Sequence, residues 1–439
     1  MRAMKDSGIA WIGEIPEEWN LRKIKYIFRI SSGTTPKSDN LEYWNGDIPW
    51  VTPADYKTEN KYIYHGRKFL SKAGLEAANL QLLPVNSIVL SKRAPIGAVA
   101  ITAAELTINQ GCIAGIPIDD CSVRYYYFIL SICTEQLNLL GSGTTFKELS
   151  AQDFGNFIVP TPDVAVQERI ADYLDRKCSQ IDAIIAWQQE VIEKLKAYKL
   201  SVITEAVTKG LNPHAPMKDS GDDFIGVMPK HWNVTKLGML FDFCGGYAYS
   251  SDSYTSESDN QVVRIGNVKN GYMALENAPV YISDKSAVAT DKFRINPGSI
   301  LFTMTGTKGK RDYFFTHLVT KEDCKGKKLF LNQRVGCFLP RKNIDAGYYN
   351  YLLKEKRILD SIFVYETGTA NQGNLGIESI RRTKVQLPSK EEQIKIREYL
   401  DDRCSRIECL LTRKSKIIYR LIDYKKSLIY EVITGKKEV

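Results

Sequence analysis

Apolar residues recur along this chain in two rhythms. In one, steps of four and three alternate. Leu174, Cys178, Ile181, Ile185, Gln188, Ile192, Leu195, Lys199, Val202 and Ala206 follow it, and so do Leu400, Cys404, Ile407, Leu411, Lys414, Ile418, Leu421, Lys425, Leu428 and Val432. A seam sustained for about four and a half heptads predicts a long helix that packs on another helix. Pro162 and Pro388 precede the two segments, with Asp163 and Ser389 as N-caps and Ser389 with Glu392 as a capping box. Gly210 and Gly435 stand where the helices stop. A helix of about 40 residues is roughly 60 Å long. No single small domain can bury such a seam, so the helices pack on each other or on a partner's helices. An antiparallel pair creates a pseudo-two-fold axis, with a globular part at either end of a rod. Gln188/Lys414 and Lys199/Lys425 interrupt both seams at matching places. They either fix register or lie at the seam edge with their stems along apolar surface.

The other rhythm is that of short strands. Apolar runs at 87–90, 98–101, 156–159, 261–265 and 299–303 sit between Gly and Pro punctuation. Helical patches lie at 125–140 and 348–362. The fold class is therefore α+β: two mixed α/β domains joined by two long antiparallel helices.

The chain also repeats itself. MKDSGIAWIGEIPEEWN, from Met4, returns as MKDSGDDFIGVMPKHWN from Met217, and twelve of the 25 aligned positions from there to Phe28 and Phe241 are identical. PDVAVQERIADYLDRKCSQID, from Pro162, returns as PSKEEQIKIREYLDDRCSRIE from Pro388. Between these frames the likeness is loose: NSIVL and GSILF, INQGCIAGIP and LNQRVGCFLP, GSGTTFKELS and ETGTANQGNLG. Two long repeats, alike at their ends and different within, are not a solenoid. The expected division is a first domain at 1–161, a long helix at 162–209, a linker at 210–216, a second domain at 217–387 and a second long helix at 388–434. Trp19 and Trp232 read as anchors mounting each domain in the same way.

Composition changes this picture little. Of 439 residues 44% are hydrophobic and 25% charged, ordinary values for a globular chain. The net charge of +9 permits a polyanionic partner without requiring one. Nine scattered Cys without a CxxC pair fit reduced thiols and a cytoplasmic setting. Neither a signal peptide nor a membrane span is expected.

The phrase IGEIPEEWNLRKI, the run SGTTPKSDNLEYWNGDIPWVTPADY, and a Pro followed by QxxIxxYLD before each long helix resemble the specificity subunits of type I restriction-modification systems. The resemblance spans essentially the whole chain and rests on the combined order of these phrases. The second half departs from it where GGYAYSSDSY replaces SGTTPKSDNL. The resemblance implies two target recognition domains, each reading half of an asymmetric bipartite site in double-stranded DNA, with a coiled coil setting the spacer. It implies two methyltransferase subunits that use S-adenosylmethionine to methylate adenine, and motor-nuclease subunits that join for ATP-dependent restriction. The subunit itself would perform no chemistry and hold no cofactor. The residues agree: TGTKGKR lacks Walker A spacing, no amino-methyltransferase tetrapeptide occurs, and the four His have no metal-ligand spacing.

Phosphates are bound by Lys, Arg, hydroxyls and backbone N–H groups, and base edges are read by Arg, Lys, Asn and Gln. The candidates in the first domain are Lys37, Lys92, Arg93 and Lys147. In the second they are Arg264, Lys308, Lys310, Arg311, Asn371 and Gln372. TGTKGKRDYFF joins three basic groups, two glycines and adjacent aromatics. The shared pairs Asn109/Gln110 and Asn332/Gln333 read as structural, because shared residues explain different specificities poorly. A competing reading is a coiled-coil scaffold with two protein-binding domains; another is a fused methyltransferase or nuclease. Divergent middles between near-identical frames favour two readers.

Overall fold

The computed structural model describes residues 2–56, 60–93, 96–142, 147–369 and 371–439. Two continuous helices dominate it, Val164–Lys209 and Lys390–Ile433. The chain folds as two units, each drawing on both helices. One holds residues 1–189 and 414–439, and the other 190–413.

In the first unit, a five-stranded sheet runs in the order Phe28–Ser32, Cys112–Pro117, Ile88–Ser91, Val99–Thr102, Tyr62–Ile63. Its pairings are antiparallel except the last, which is parallel. A smaller sheet joins Thr107–Ile108, Trp44–Val51 and Lys68–Leu70. The second unit repeats the plan with Phe241–Gly245, Val335–Pro340, Ile300–Thr303 and Thr316–Leu318, antiparallel throughout. Gly336 is required there: a Cβ at that position would stand 2.1 Å from the ring of Phe302 on the neighbouring strand.

In each unit the opening of one long helix packs beside the end of the other. Leu174, Cys178 and Ile181 share a core with Leu428, Ile429, Val432 and Ile433. In the second unit Leu400 and Cys404 share one with Val202, Ile203, Ala206 and Val207. The pairing is therefore antiparallel inside each unit. Every seam position is buried or half-buried, and the half-buried ones cluster mid-helix, where the helices bury least. The two seam lysines form matching ion pairs, Lys425 Nζ with Asp182 at 2.6 Å and Lys199 with Glu408. Each of these pairs joins one long helix to the other at the seam, with the lysine side chain partly exposed. Gln188 is buried and its Oε1 has no partner, while Lys414 lies over the Trp187 ring at 5.4 Å.

The repeated opening is the mount. Trp19 is buried beside Gly435, and Trp232 beside Gly210, so each packs where the other half's long helix stops. Both glycines have positive φ, +72° and +77°, the left-handed turn that ends a helix. Above each mount a tyrosine ties the domain to the same helix end: Tyr125 Oη donates to the Ile433 carbonyl and Tyr348 Oη to that of Val207.

The capping box expected at Ser389 does not form. Ser389 Oγ does accept from the Glu392 N–H at 3.2 Å. The Glu392 carboxylate, however, turns away to accept from Trp232 Nε1 at 2.8 Å and to meet His231 Nε2 at 3.0 Å. The buried indole N–H needs an acceptor, and that need wins.

Candidate nucleic-acid interface

In the second unit the loop after strand Ile300–Thr303 does not hang free. Thr305–Gly306 pairs with Gln372–Asn374, which pairs in turn with Thr367–Thr369. This brings TGTKGKR and TGTANQGN into one three-stranded patch. Lys308, Lys310 and Asn371 are exposed on its loops and turn, and Gln372 is exposed at the start of its middle strand. Lys308 Nζ donates to the Gly368 carbonyl at 2.9 Å, linking the two segments. Asp312 accepts from the Thr307 N–H at 2.7 Å, and the Thr307 hydrogen bonds hold its carboxyl below the usual range. Glu366 accepts from the Gly309 N–H at 3.1 Å and from Tyr313 Oη at 2.7 Å. Tyr313 is buried against Phe363, and burial raises its phenol pKa. Arg311 belongs to the loop, but its guanidinium turns to Asp360 and over the Phe363 ring, 5.7 Å away.

The first unit builds the same patch from different residues. Glu148 is bridged on one side to Arg93 and on the other to Ser142. The register therefore equates Glu148 with Asn374, Arg93 with Thr305 and Ser142 with Thr367. Lys92 and Arg93 converge on Glu148: Lys92 Nζ lies 2.9 Å from Oε1, and Arg93 Nε 2.8 Å from Oε2. The Lys92 ammonium, followed by the Arg93 guanidinium, holds the Glu148 carboxyl below its ordinary range. Lys147 is exposed beside this cluster.

Two candidates lie elsewhere. Lys37 is exposed on the segment leading to the smaller sheet, and its carbonyl accepts from Trp44 Nε1 at 3.2 Å. Arg264 follows strand Asn260–Val263 in the second unit's other sheet, where its Nη2 donates to the Ala278 carbonyl at 2.6 Å. Of the shared Asn–Gln pairs, Asn109 holds a turn, its Oδ1 accepting from the Gly111 N–H, while the backbone at Asn332 and Gln333 bridges to Tyr247.

Sequence reasoning missed four residues. Glu148 and Glu366 were invisible because acidic residues are too common to single out. Gln167 and Gln393 are buried amides that each donate to the carbonyl of the Pro before the long helix. Each also accepts the N–H of Ser122 or Asp345, where the tyrosine helix begins. The repeated QxxIxxYLD phrase was their signal.

The first patch offers the Arg93 guanidinium and the Lys147 ammonium, and the second the Lys308 and Lys310 ammonium groups with the Asn371 and Gln372 amides, the kinds of group that grip phosphates and read base edges. The described residues hold no cluster of three metal ligands, and no described helix is long and apolar enough to cross a membrane. Comparison with known proteins matches the family described as "Type I restriction modification DNA specificity domain" twice, over residues 16–197 and 229–417. The chain belongs to the type I restriction-modification specificity family. It is 31% identical over 307 residues to the MjaIX specificity subunit of Methanocaldococcus jannaschii, covering 67% of this chain and 68% of that one. It is 19% identical to the EcoBI specificity subunit of Escherichia coli, over 96% and 87% of the two chains. Its fold is shared with a chain solved for the assembly and conformational transition of a type I R-M system, at a TM-score of 0.75 and 13% identity over 95% of this chain and 98% of that one. It is shared too with the HsdS subunit of Thermoanaerobacter tengcongensis, at 0.54 and 14% over 96% and 98%. The α+β class with two mixed domains and long helices is thus that of the specificity family.

Proposed function

We propose that this chain is the DNA-recognition subunit of a type I restriction-modification complex, and that each unit reads one half of an asymmetric bipartite target. The observation that carries this is the pair of family matches, laid over two patches of the same register but different side chains. Two readers of one kind with unlike contacts suit two unlike half-sites. The reading divides the chain into recognition domains at 1–161 and 217–387, with helices at 162–209 and 388–434 whose length sets the unspecified spacer.

The subunit performs no chemistry of its own. Methyltransferase subunits using S-adenosylmethionine act on adenines in the target, motor-nuclease subunits join for restriction, and the complex works in the cytoplasm. Base contacts come from Arg93, Lys147, Lys308, Lys310, Asn371 and Gln372, while Lys92 acts from behind them by neutralising Glu148. Lys37, Arg264 and Arg311 act at the margin: Lys37 and Arg264 lie outside the two patches, and the Arg264 and Arg311 guanidinium groups are already held by Ala278 and Asp360.

The test is methylome sequencing of a host expressing the chain with its methyltransferase. One asymmetric bipartite motif with adenine modified on both strands is expected. An active methyltransferase that leaves no motif would overturn the reading.

A further inference from the structure

Each patch contains a glutamate among its basic residues, and the two do different work. Glu148 stands in the middle segment, where the other patch has Asn374. It takes the Lys92 ammonium and the Arg93 Nε–H. This contact uses Nε and not the terminal nitrogens, so the Nη1/Nη2 edge of the half-exposed Arg93 is held in one direction. That edge is the fork that pairs with guanine O6 and N7. Lys92, with its side chain 14% exposed, is largely withdrawn from solvent. Glu366 stands at the start of its hairpin and touches no cation of the loop. It grips the Gly309 N–H and Tyr313 Oη, and so fixes the path of the backbone carrying Lys308 and Lys310. A Cβ at Gly373 would fall 2.3 Å from Glu366 Oε1, so the hairpin closes directly over this lock.

We infer that Glu148 and Glu366 are positioning residues of the two readers and act in opposite senses. Glu148 restrains charge, trading non-specific attraction for one fixed orientation of Arg93. Glu366 shapes the backbone, and its own charge is incidental. The inference rests on the proposed DNA-reading function and assigns a role that base-contact residues alone do not supply.

The experiment uses the full chain assembled with its methyltransferase. The probes are duplexes carrying the intact bipartite motif or one scrambled half-site, titrated over a range of salt. Glu148→Gln should tighten binding to scrambled duplex several-fold and steepen the log–log salt dependence by about 1, as a neutralising charge is lost. Its discrimination at the first half-site should fall about tenfold, with the second half-site untouched. Glu366→Ala should lose about tenfold at the second half-site without steepening the salt dependence. Glu366→Gln should restore that loss, because an amide oxygen still accepts from the Gly309 N–H and from Tyr313.

Variants that behave as wild type would overturn the inference. So would Glu366→Gln failing as badly as Glu366→Ala, which would make charge the active property. A wild-type complex with no sequence preference would overturn the DNA-reading function and the inference together. That result differs visibly from silent variants of a discriminating complex.

Discussion

The two units share a frame, yet they solve the same problems with different atoms. The mount shows it first. Trp232 Nε1 has an acceptor in Glu392, whereas Trp19 Nε1 is buried without a partner. The residue matching Glu392 in the first half is Val166, which cannot accept. Apolar packing is therefore the common requirement of the mount, and the hydrogen bond is an addition of one unit. The domain–helix junction differs likewise. In the first unit Arg124, on the domain, reaches Glu168, Asp172 and Asp175 on the long helix. In the second, Arg397 on the long helix reaches Asp345 on the domain. The cation has changed sides while the junction has stayed. A repeat fixes what must be buried and leaves free how charges across it are paired.

The largest expected contrast lies at the mount. Truncating either tryptophan to Ala should cost about 3–5 kcal/mol, as for other large buried rings. Trp→Phe should separate the two. Trp232→Phe also takes from the half-buried Glu392 carboxylate one of its two partners, leaving it His231, and should cost about 1–3 kcal/mol more than Trp19→Phe. Urea midpoints of the two variants measure the difference. Equal losses would mean that the Glu392 bond contributes nothing net.

The helix stops come next. An alanine at either glycine must adopt a left-handed backbone, at about 1–2 kcal/mol. At Gly435 the new Cβ would also stand 2.4 Å from Pro16, whereas at Gly210 its nearest neighbours are 3.2 and 3.3 Å away. Gly435→Ala should therefore be the more damaging. The same melts check this, and a reversed order would show that the Pro16 turn yields easily.

At the readers, Lys310→Ala and Lys92→Ala should differ in salt dependence. Lys310 is exposed, and its loss should flatten the log–log slope by about 1. Lys92 already neutralises Glu148, so its loss should leave the slope of specific binding nearly unchanged. Titration of the assembled complex over salt decides it, and equal slopes would show that Glu148 releases Lys92 to the phosphates.

Much of this architecture could be read from periodicity. The heptad seam located both helices because a 3.5-residue repeat has few other physical causes, and strands Ile88–Ser91 and Ile300–Thr303 lie within a residue of the apolar runs that announced them. The repeated frame announced the mount. The patches were half legible. Basic residues in Gly-rich loops drew attention to Lys92, Arg93, Lys308 and Lys310, but nothing in one dimension shows that Thr305 pairs with Asn374 or that Arg93 faces Glu148. Pairings between distant segments depend on sheet register, which emerges only when the whole domain packs. The missing capping box has the same origin. Ser389 and Glu392 satisfy the local pattern, and a tryptophan 160 positions earlier claims the carboxylate.

The smallest contrast concerns a half-buried cation of the second unit, Lys354. Lys354 lines a cleft of about 550 Å³ with Lys199, Tyr351, Asp401, Cys404 and Glu408. Aligned on the tyrosine pairs, the first unit has Ser131 there, whose hydroxyl donates to the Phe128 carbonyl. Burial, followed by the like charge of Lys199, pushes the Lys354 ammonium down to about 8. Below pH 8 both folded and unfolded chains hold its proton, so the cost of burying the charge is constant. Between about 8 and the ordinary lysine value the unfolded chain keeps a proton that the folded one sheds. Stability attributable to this group must therefore rise with pH across that window. Lys354→Met should stabilise the chain at pH 7 by about 1 kcal/mol, and the advantage should shrink toward pH 10. Comparing urea midpoints of the variant and the wild type at each pH cancels the other titrating groups. An advantage that stays flat over this range would mean that water reaches the ammonium in the cleft, and that the two units differ here in packing alone.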